Sequence, residues 1–148
     1  MIQLQDIPKD YIHCPATADS CPRADTCLRA LAARVLADSG SNTPNVIPTL
    51  NPNYALHPPK NCTFYRSSAP VRFARGMKRL FDDVPMRQGK LVRRRVMACF
   101  SCESYFYQSR KGERLITPAE QEAIARVFRS AGLSITPAFD SYENGIEW

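Results

Sequence analysis

Three cysteines fall within fourteen residues near the start of the chain, in the stretch HCPATADSCPRADTCLR at residues 13–29. The first two are each followed by proline, which fixes the backbone angle φ and stiffens an irregular loop. A fourth cysteine, Cys62, lies at the far end of the Pro- and Asn-rich segment 40–63. A structureless connection of this length is uncommon inside a compact domain unless something holds it in place. How these thiols are used therefore decides how the first part of the chain stays ordered.

The spacings Cys14-x6-Cys21-x5-Cys27-x34-Cys62 are compatible with a metal site, because thiolates on irregular backbone can turn toward one point. Four such ligands would pin two irregular segments together. We expect a structural metal there, with zinc ahead of an iron–sulfur cluster, although zinc ribbons usually show closer C-x2-4-C pairs. Free thiols, some buried as small apolar groups, are the next interpretation. Disulfides, which would require an oxidising compartment, are the least favoured interpretation.

The histidines and the remaining two cysteines give weaker signals. Either histidine, His13 or His57, could replace the cysteine nearest to it in the sequence. Cys99 and Cys102 form CFSC, the redox spacing of thioredoxin-like proteins, but the βαβ context of that motif is not predicted here. Two core cysteines on a helix are favoured over a metal knuckle or a redox pair. No catalytic triad, dinucleotide fingerprint or P-loop stands out in the sequence, so we lean against an enzyme.

The length of 148 residues predicts a single domain spanning 1–148. Within it we expect an irregular segment over 1–65, with the first helix and the cysteine site, and a helical core over 66–148. The first residues lack the basic and apolar regions of a secretory signal, and no apolar run reaches the roughly 18 residues that span a membrane. A reducing cytoplasm is the expected compartment, where cysteines are more often thiols or metal ligands than disulfides.

The net charge of +6 comes from one part of the sequence. Residues 66–95 carry ten basic and two acidic side chains, whereas the segments on either side are neutral or slightly acidic. The candidates for binding a polyanion are Arg72, Arg75, Arg79, Lys90, Arg93 and Arg94. Phosphate contacts would add salt-dependent affinity for nucleic acid, and an acidic protein surface is the other partner that such a segment predicts. A solvated basic face remains the favoured interpretation.

Apolar spacing predicts a mainly α fold of three to four helices, or an α+β fold with little strand. The helices are predicted over residues 23–38, 69–83, 87–100 and 118–131. The first would include Cys27 and end before Gly40, whereas ESYFYQSRKGER at 103–114 is ambiguous between strand and helix. The clearest helix start is Thr117-Pro118-Ala119-Glu120, a capping box with proline at the first helical position. Aromatic residues in the tail 134–148 predict that it packs back onto the core.

Five stretches of the sequence are distinctive as a set. They are CPRADTCLR (21–29), the pair NP (51–52), CTFYR (62–66), VRFARGMKRLFDDVP (71–85) and LITPAEQEAIARVFRSAG (115–132). Together they resemble an uncharacterised family of small bacterial proteins, a domain of unknown function. The resemblance would cover nearly the whole chain and implies a stand-alone, intracellular bacterial protein. It implies no substrate, cofactor or catalytic residue.

The sequence as a whole therefore predicts a small binding or regulatory module with a structural metal site. One alternative is a nucleic-acid-associated protein that uses the basic segment 66–95. The other is an iron–sulfur or thiol redox protein. No membrane partner is expected.

Overall fold

A computed structural model describes residues 2–40 and 43–148 of the chain. These residues form five α-helices, two short 3-10 helices and three β-strands, so the fold is rich in helix but includes a small sheet. The chain divides into two compact units, Met1–Ala69 together with Trp148 and Pro70–Glu147, which we name the N-terminal unit and the sheet unit. Residues 41 and 42 of the predicted loop lie outside the described residues.

The N-terminal unit consists of short helices joined by irregular backbone. Its 3-10 helices cover Leu4–Asp6 and Ala24–Thr26, α1 covers Leu28–Asp38 and α2 covers Pro52–Leu56. Asn51 caps α2, because its side chain accepts a hydrogen bond from the N–H of Asn53 at 2.9 Å and Pro52 suits the first helical position. α1 stops just before Gly40, as predicted; that glycine has a φ of +59°, which favours glycine after a helix.

The first long helix starts later than its apolar spacing predicted. Cys27 is extended, with φ −100° and ψ 118°, and it separates Ala24–Thr26 from α1. It pairs with Ser67 in an antiparallel bridge, beside which the N–H of Leu28 donates to the carbonyl of Arg66 at 2.8 Å. Because a helix through Cys27 would break this bridge, long-range pairing overrides local helix propensity here.

The apolar interior of the N-terminal unit is made largely of small side chains. Its buried apolar residues are Ala16, Ala24, Cys27, Leu28, Ala30, Ala32, Leu50 and Ala55. Alanine and cysteine each bury little apolar area, so they contribute less stability than larger side chains. Units of this size commonly need a cross-link, a metal or an unusually well-packed core to remain folded.

The sheet unit surrounds a larger apolar core with three strands and three helices. In chain order they are β1 Val71–Arg75, α3 Met86–Met97, α4 Glu103–Lys111, β2 Leu115–Ile116, α5 Pro118–Ser130 and β3 Ser141–Gly145. The strand order is β2-β1-β3 with both pairings antiparallel, so Ala74 pairs with Ile116 on one side and Tyr142 on the other. Phe139 of the tail packs against the core, as the aromatic residues of the tail predicted.

The helix predicted over 69–83 is wrong. Its first part is β1, the central strand of the sheet, and turns follow it. Gly76 has a φ of +77°, and a Cβ at this position would collide with the side chain of Asp140. Phe73 and Met77, whose spacing imitates a helix, are both buried. The apolar spacing thus identified which residues are buried, but it did not distinguish a helix from a strand followed by turns.

The other three helices of the sheet unit follow the sequence more closely. α3 begins one residue before the predicted range 87–100 and ends at Met97, while the ambiguous stretch 103–114 contains α4. The capping box of α5 is confirmed: the Thr117 hydroxyl accepts from the N–H of Glu120 at 3.2 Å, and the Glu120 carboxylate accepts from the N–H of Thr117 at 2.9 Å. No helix in the described part of the chain is long and apolar enough to cross a membrane.

Candidate metal centre

The four cysteines predicted as metal ligands line one cavity in the N-terminal unit. They are Cys14, Cys21, Cys27 and Cys62. All four are free thiols, of which Cys27 is buried and the others are half-buried. The open space between the walls is about 20 Å³, which holds one water molecule or one ion but no organic ligand.

The thiols reach this cavity from separate pieces of irregular backbone. The N–H of Cys14 donates to the carbonyl of Arg29 at 3.0 Å, which ties the first loop to the start of α1. Cys27 occupies the N-cap of α1. The carbonyl of Cys62 accepts from the N–H of Tyr65 at 3.2 Å, in a turn at the far end of the Pro-rich segment. Residues distant in sequence thus face one space.

A tyrosine hydroxyl and two arginine residues accompany the thiols at this cavity. The Tyr54 hydroxyl donates to the Cys62 sulfur at 3.5 Å. Arg23 and Arg29 also belong to the lining, and their guanidinium groups lie 4.8 and 5.1 Å from the ring centroids of Tyr65 and Tyr11. Sequence reasoning missed these residues, and only the position of Arg23 and Arg29 within the CPRADTCLR stretch pointed to them.

The thiols influence one another electrostatically. Burial raises the pKa of the Cys14 thiol and the other three thiols raise it further, whereas the N–H of Ala16 lowers it. The sulfurs nevertheless stand around the space without meeting in a ligating arrangement. Within residues 2–40 and 43–148, no group of three or more His, Cys, Asp or Glu side chains is arranged to hold a metal ion.

The two histidines lie elsewhere in the N-terminal unit. His13 is buried and lines a second cavity, and His57 is exposed. Neither belongs to the described lining of the cysteine cavity. The structure therefore gives no support to the alternative in which a histidine replaces Cys14 or Cys62.

The CFSC pair belongs to the sheet unit and is not the core pair favoured from the sequence. Cys99 follows α3 and is half-buried against the apolar core. Cys102 is exposed and occupies the N-cap of α4. The two residues flank a turn instead of sharing one helix face. The core interpretation is thus partly right for Cys99 and wrong for Cys102.

The six basic residues considered for polyanion binding fall into two groups, of which one lies on β1 and the turns after it. The Arg72 guanidinium stacks 3.8 Å from the ring centroid of Tyr142. Arg75 forms an ion pair with Glu143 at 3.2 Å, and Arg79 lies in a turn beside an acidic residue. Arg72 and Arg75 thus already have partners within the sheet unit.

The second group lies on α3, whose charged side chains are all basic. From the predicted set it contains Lys90, Arg93 and Arg94. These residues line a shallow groove of about 410 Å³ with Arg87, and the apolar side chains of Leu91 and Met97 contribute to the same groove. Among the residues that the structure describes, no basic side chain of α3 forms an ion pair. α3 therefore presents an exposed basic face with an apolar strip.

Comparisons with known proteins identify a family but no activity. Residues 1–148 match the model of a family of unknown function, DUF6078, in agreement with the resemblance drawn from the sequence. Searches of curated proteins and of solved structures gave no match. Because the family match covers the full sequence, this protein belongs to DUF6078, a family of unknown function.

Proposed function

We propose that the N-terminal unit holds one zinc ion through Cys14, Cys21, Cys27 and Cys62, and that the protein acts as a binding or regulatory module and not as an enzyme. The observation that carries this proposal is that all four thiols line one small cavity. Four cysteine thiolates form the tetrahedral ligand set that structural zinc prefers.

The size and charge of the cavity favour a single zinc ion over an iron–sulfur cluster. An open space of about 20 Å³ suits one ion, whereas a two- or four-iron cluster also brings inorganic sulfides and needs more room. Zinc with four thiolates carries a net charge of −2. Arg23 and Arg29, which line the cavity, would offset this charge.

Assembly of the site requires the sulfurs to turn inward, since each must lie about 2.3 Å from zinc. A cysteine side chain needs rotation about one bond to move its sulfur. Cys14, Cys21 and Cys62 lie in irregular, half-buried segments that can adjust more readily than a helix. Metal–thiolate bonds would then add folding free energy to a unit whose own core is made of small side chains.

Elemental analysis of the purified protein, combined with alkylation and mass spectrometry, tests this proposal. We expect one zinc per chain and protection of four cysteines from alkylation, so that only Cys99 and Cys102 react. Cys21→Ser should lose the stoichiometric zinc, whereas the matched variant Cys102→Ser should keep it. Cobalt(II) in place of zinc should give the visible absorption of a tetrahedral thiolate complex.

The contrary results are equally clear. Protein without metal after expression in zinc-supplemented medium, with all six thiols reacting freely, would overturn the proposal. Iron with acid-labile sulfide and a brown colour after anaerobic purification would replace zinc by an iron–sulfur cluster.

The basic face of α3 favours a second function, the binding of a polyanion such as nucleic acid. Lys90, Arg93 and Arg94 have no ion-pair partner among the described residues, so contact with a phosphate backbone would break no ion pair seen there. Fluorescence anisotropy with a labelled DNA duplex at increasing salt concentration tests this function. We expect affinity to fall steeply with salt, because each phosphate contact releases a counterion.

Two variants that each remove one positive charge distinguish binding through the basic face of α3 from a general effect of the net charge of the protein. Arg94→Gln should reduce the slope of log affinity against log salt by about 0.9. Arg129→Gln on α5 removes the same charge from a residue already paired with Glu122 at 2.7 Å and should leave the slope unchanged. Absence of binding at low salt would exclude this function.

A further inference from the structure

β3 is an edge strand of the sheet. In the part of the chain that the structure describes it pairs with β1 alone, and β1 separates it from β2. Four of its five residues, Ser141 to Asn144, are exposed. An exposed edge strand presents backbone N–H and C=O groups with which another extended chain can pair.

The pairing of β3 with β1 shows which of its backbone groups point away from the sheet. The N–H of Asp140 donates to the carbonyl of Gly76 at 3.1 Å, and these residues lie opposite each other one position beyond the end of the ladder. Since hydrogen-bonded and non-hydrogen-bonded pairs alternate in an antiparallel ladder, every second residue of β3 bonds to β1. The residues whose N–H and C=O groups face outward are Ser141, Glu143 and Gly145. Within residues 2–40 and 43–148, no backbone group of another segment bonds to these three.

A groove of about 520 Å³ borders this strand, because Tyr142 forms part of its lining. Phe139 lines the groove as well and packs edge-on against Tyr142, with a centroid separation of 6.1 Å. Residues of α5 supply more of the lining. One of them, Gln121, donates to the carbonyls of Arg72 and Ile116 at 2.9 and 3.0 Å, which ties α5 to β1 and β2. The groove therefore has aromatic surface and walls that are fixed to each other.

The groove contains one charged side chain that no ion pair neutralises. The Arg72 guanidinium lies 3.8 Å from the ring centroid of Tyr142, and it forms no ion pair with any described residue. Stacking occupies the flat face of a guanidinium and leaves the N–H groups along its rim able to bind a carboxylate. Glu122, the other charged residue of the described lining, is paired with Arg129 at 2.7 Å. The groove thus favours an occupant with a negative charge.

We propose that β3 and this groove bind an extended, acidic segment of a partner protein, which adds a fourth strand to the sheet. The backbone of the segment pairs with the outward groups of β3. Alternate side chains of the segment point to the face that carries Tyr142. On that face, apolar side chains contact the groove and a carboxylate binds Arg72.

A second copy of β3 suits this edge less well than such a segment. The two-fold symmetric register that uses all three outward residues places Tyr142 of one copy opposite Asn144 of the other, so Arg72 would meet no carboxylate. The same register places the two copies of Glu143 opposite each other, and like charges in that position are destabilising. The proposal concerns the sheet unit alone and does not depend on zinc in the N-terminal unit.

The fluorescein-labelled peptide TVTETV, with an amidated C-terminus, is the probe, and TVTQTV is its matched neutral form. The valines and the glutamate share one face of a strand because they alternate with threonine. Fluorescence anisotropy should show saturable binding of TVTETV, with TVTQTV about tenfold weaker. Arg72→Gln should remove this difference, whereas Arg79→Gln, which removes an exposed charge from a turn, should preserve it. No saturable binding of TVTETV, or equal affinity of the unmodified protein for both peptides, would overturn the proposal.

Backbone methylation of the peptide distinguishes strand addition from binding through side chains alone. Alternate N–H groups of a strand point toward the neighbouring strand. One peptide with methylated threonine nitrogens and another with the remaining nitrogens methylated should therefore differ, such that one loses binding and the other keeps it. Equal effects of the two methylation patterns would contradict the proposal. A protein that binds neither unmethylated peptide and dimerises in sedimentation would instead assign the edge to a second copy. These peptide comparisons use the unmodified protein, so they decide the matter even if Arg72→Gln does not fold.

Discussion

At the scale of single residues, two glycines of the sheet unit have opposite requirements. Gly76 has a φ of +77° and no room for a Cβ beside Asp140, so Gly76→Ala should lower the free energy of unfolding by about 1–3 kcal/mol. Gly89 lies within α3, with open space around its Cβ position. Gly89→Ala should therefore raise the free energy of unfolding by about 0.5–1 kcal/mol. Urea denaturation measures both, and a destabilised Gly89→Ala would argue against the helix at this position.

The two cysteines of CFSC should differ in reactivity. Burial raises the pKa of Cys99, with Arg126 lowering it and Glu120 raising it in smaller amounts. Cys102 is exposed. Because the thiolate is the nucleophile, iodoacetamide at neutral pH should modify Cys102 before Cys99. The rate at Cys99 should continue to rise as the pH increases through its raised pKa. Peptide mass spectrometry measures both rates, and equal rates at neutral pH would show that Cys99 is not protected.

At the scale of secondary-structure elements, the start of α5 is held by a reciprocal cap. Thr117 and Glu120 form the capping box, and Arg114 clamps both oxygens of Glu120 at 2.9 and 3.0 Å. Thr117→Ala should cost about 1 kcal/mol of stability, whereas Thr117→Ser keeps the hydroxyl and should cost much less. Chemical denaturation of the two variants provides the measurement. Equal losses would mean that the methyl group of Thr117, not its hydroxyl, stabilises the helix.

At the scale of the whole molecule, the proposed zinc should stabilise one unit selectively. The N-terminal unit has a core of mostly alanine, whereas the sheet unit buries Phe106, Phe128 and Met77. Treatment with a zinc chelator should speed amide hydrogen exchange throughout residues 13–29 and 50–66, because metal binding contributes folding free energy. Exchange in α5 should change little. Restored protection on adding zinc is the control, and exchange that is insensitive to the chelator would contradict a structural metal.

The sequence by itself determined the features that depend on a few neighbouring residues. The capping box at Thr117, the end of α1 before Gly40 and the approximate extent of α3 were all predicted correctly. Each of these signals acts within one or two helical turns, through a side-chain cap, a left-handed backbone angle or a repeated apolar position. The matched family model likewise agrees with the resemblance seen in the residues alone.

The tertiary structure decided the features that depend on distant partners. β1 became a strand because residues 115–116 and 141–145 supply hydrogen-bonding neighbours on its two sides, and Cys27 is extended because Ser67 pairs with it. The same long-range packing brings Cys62 to the cavity of the first three cysteines. No local period encodes such contacts, since loop closure and packing choose among partners far apart in the chain.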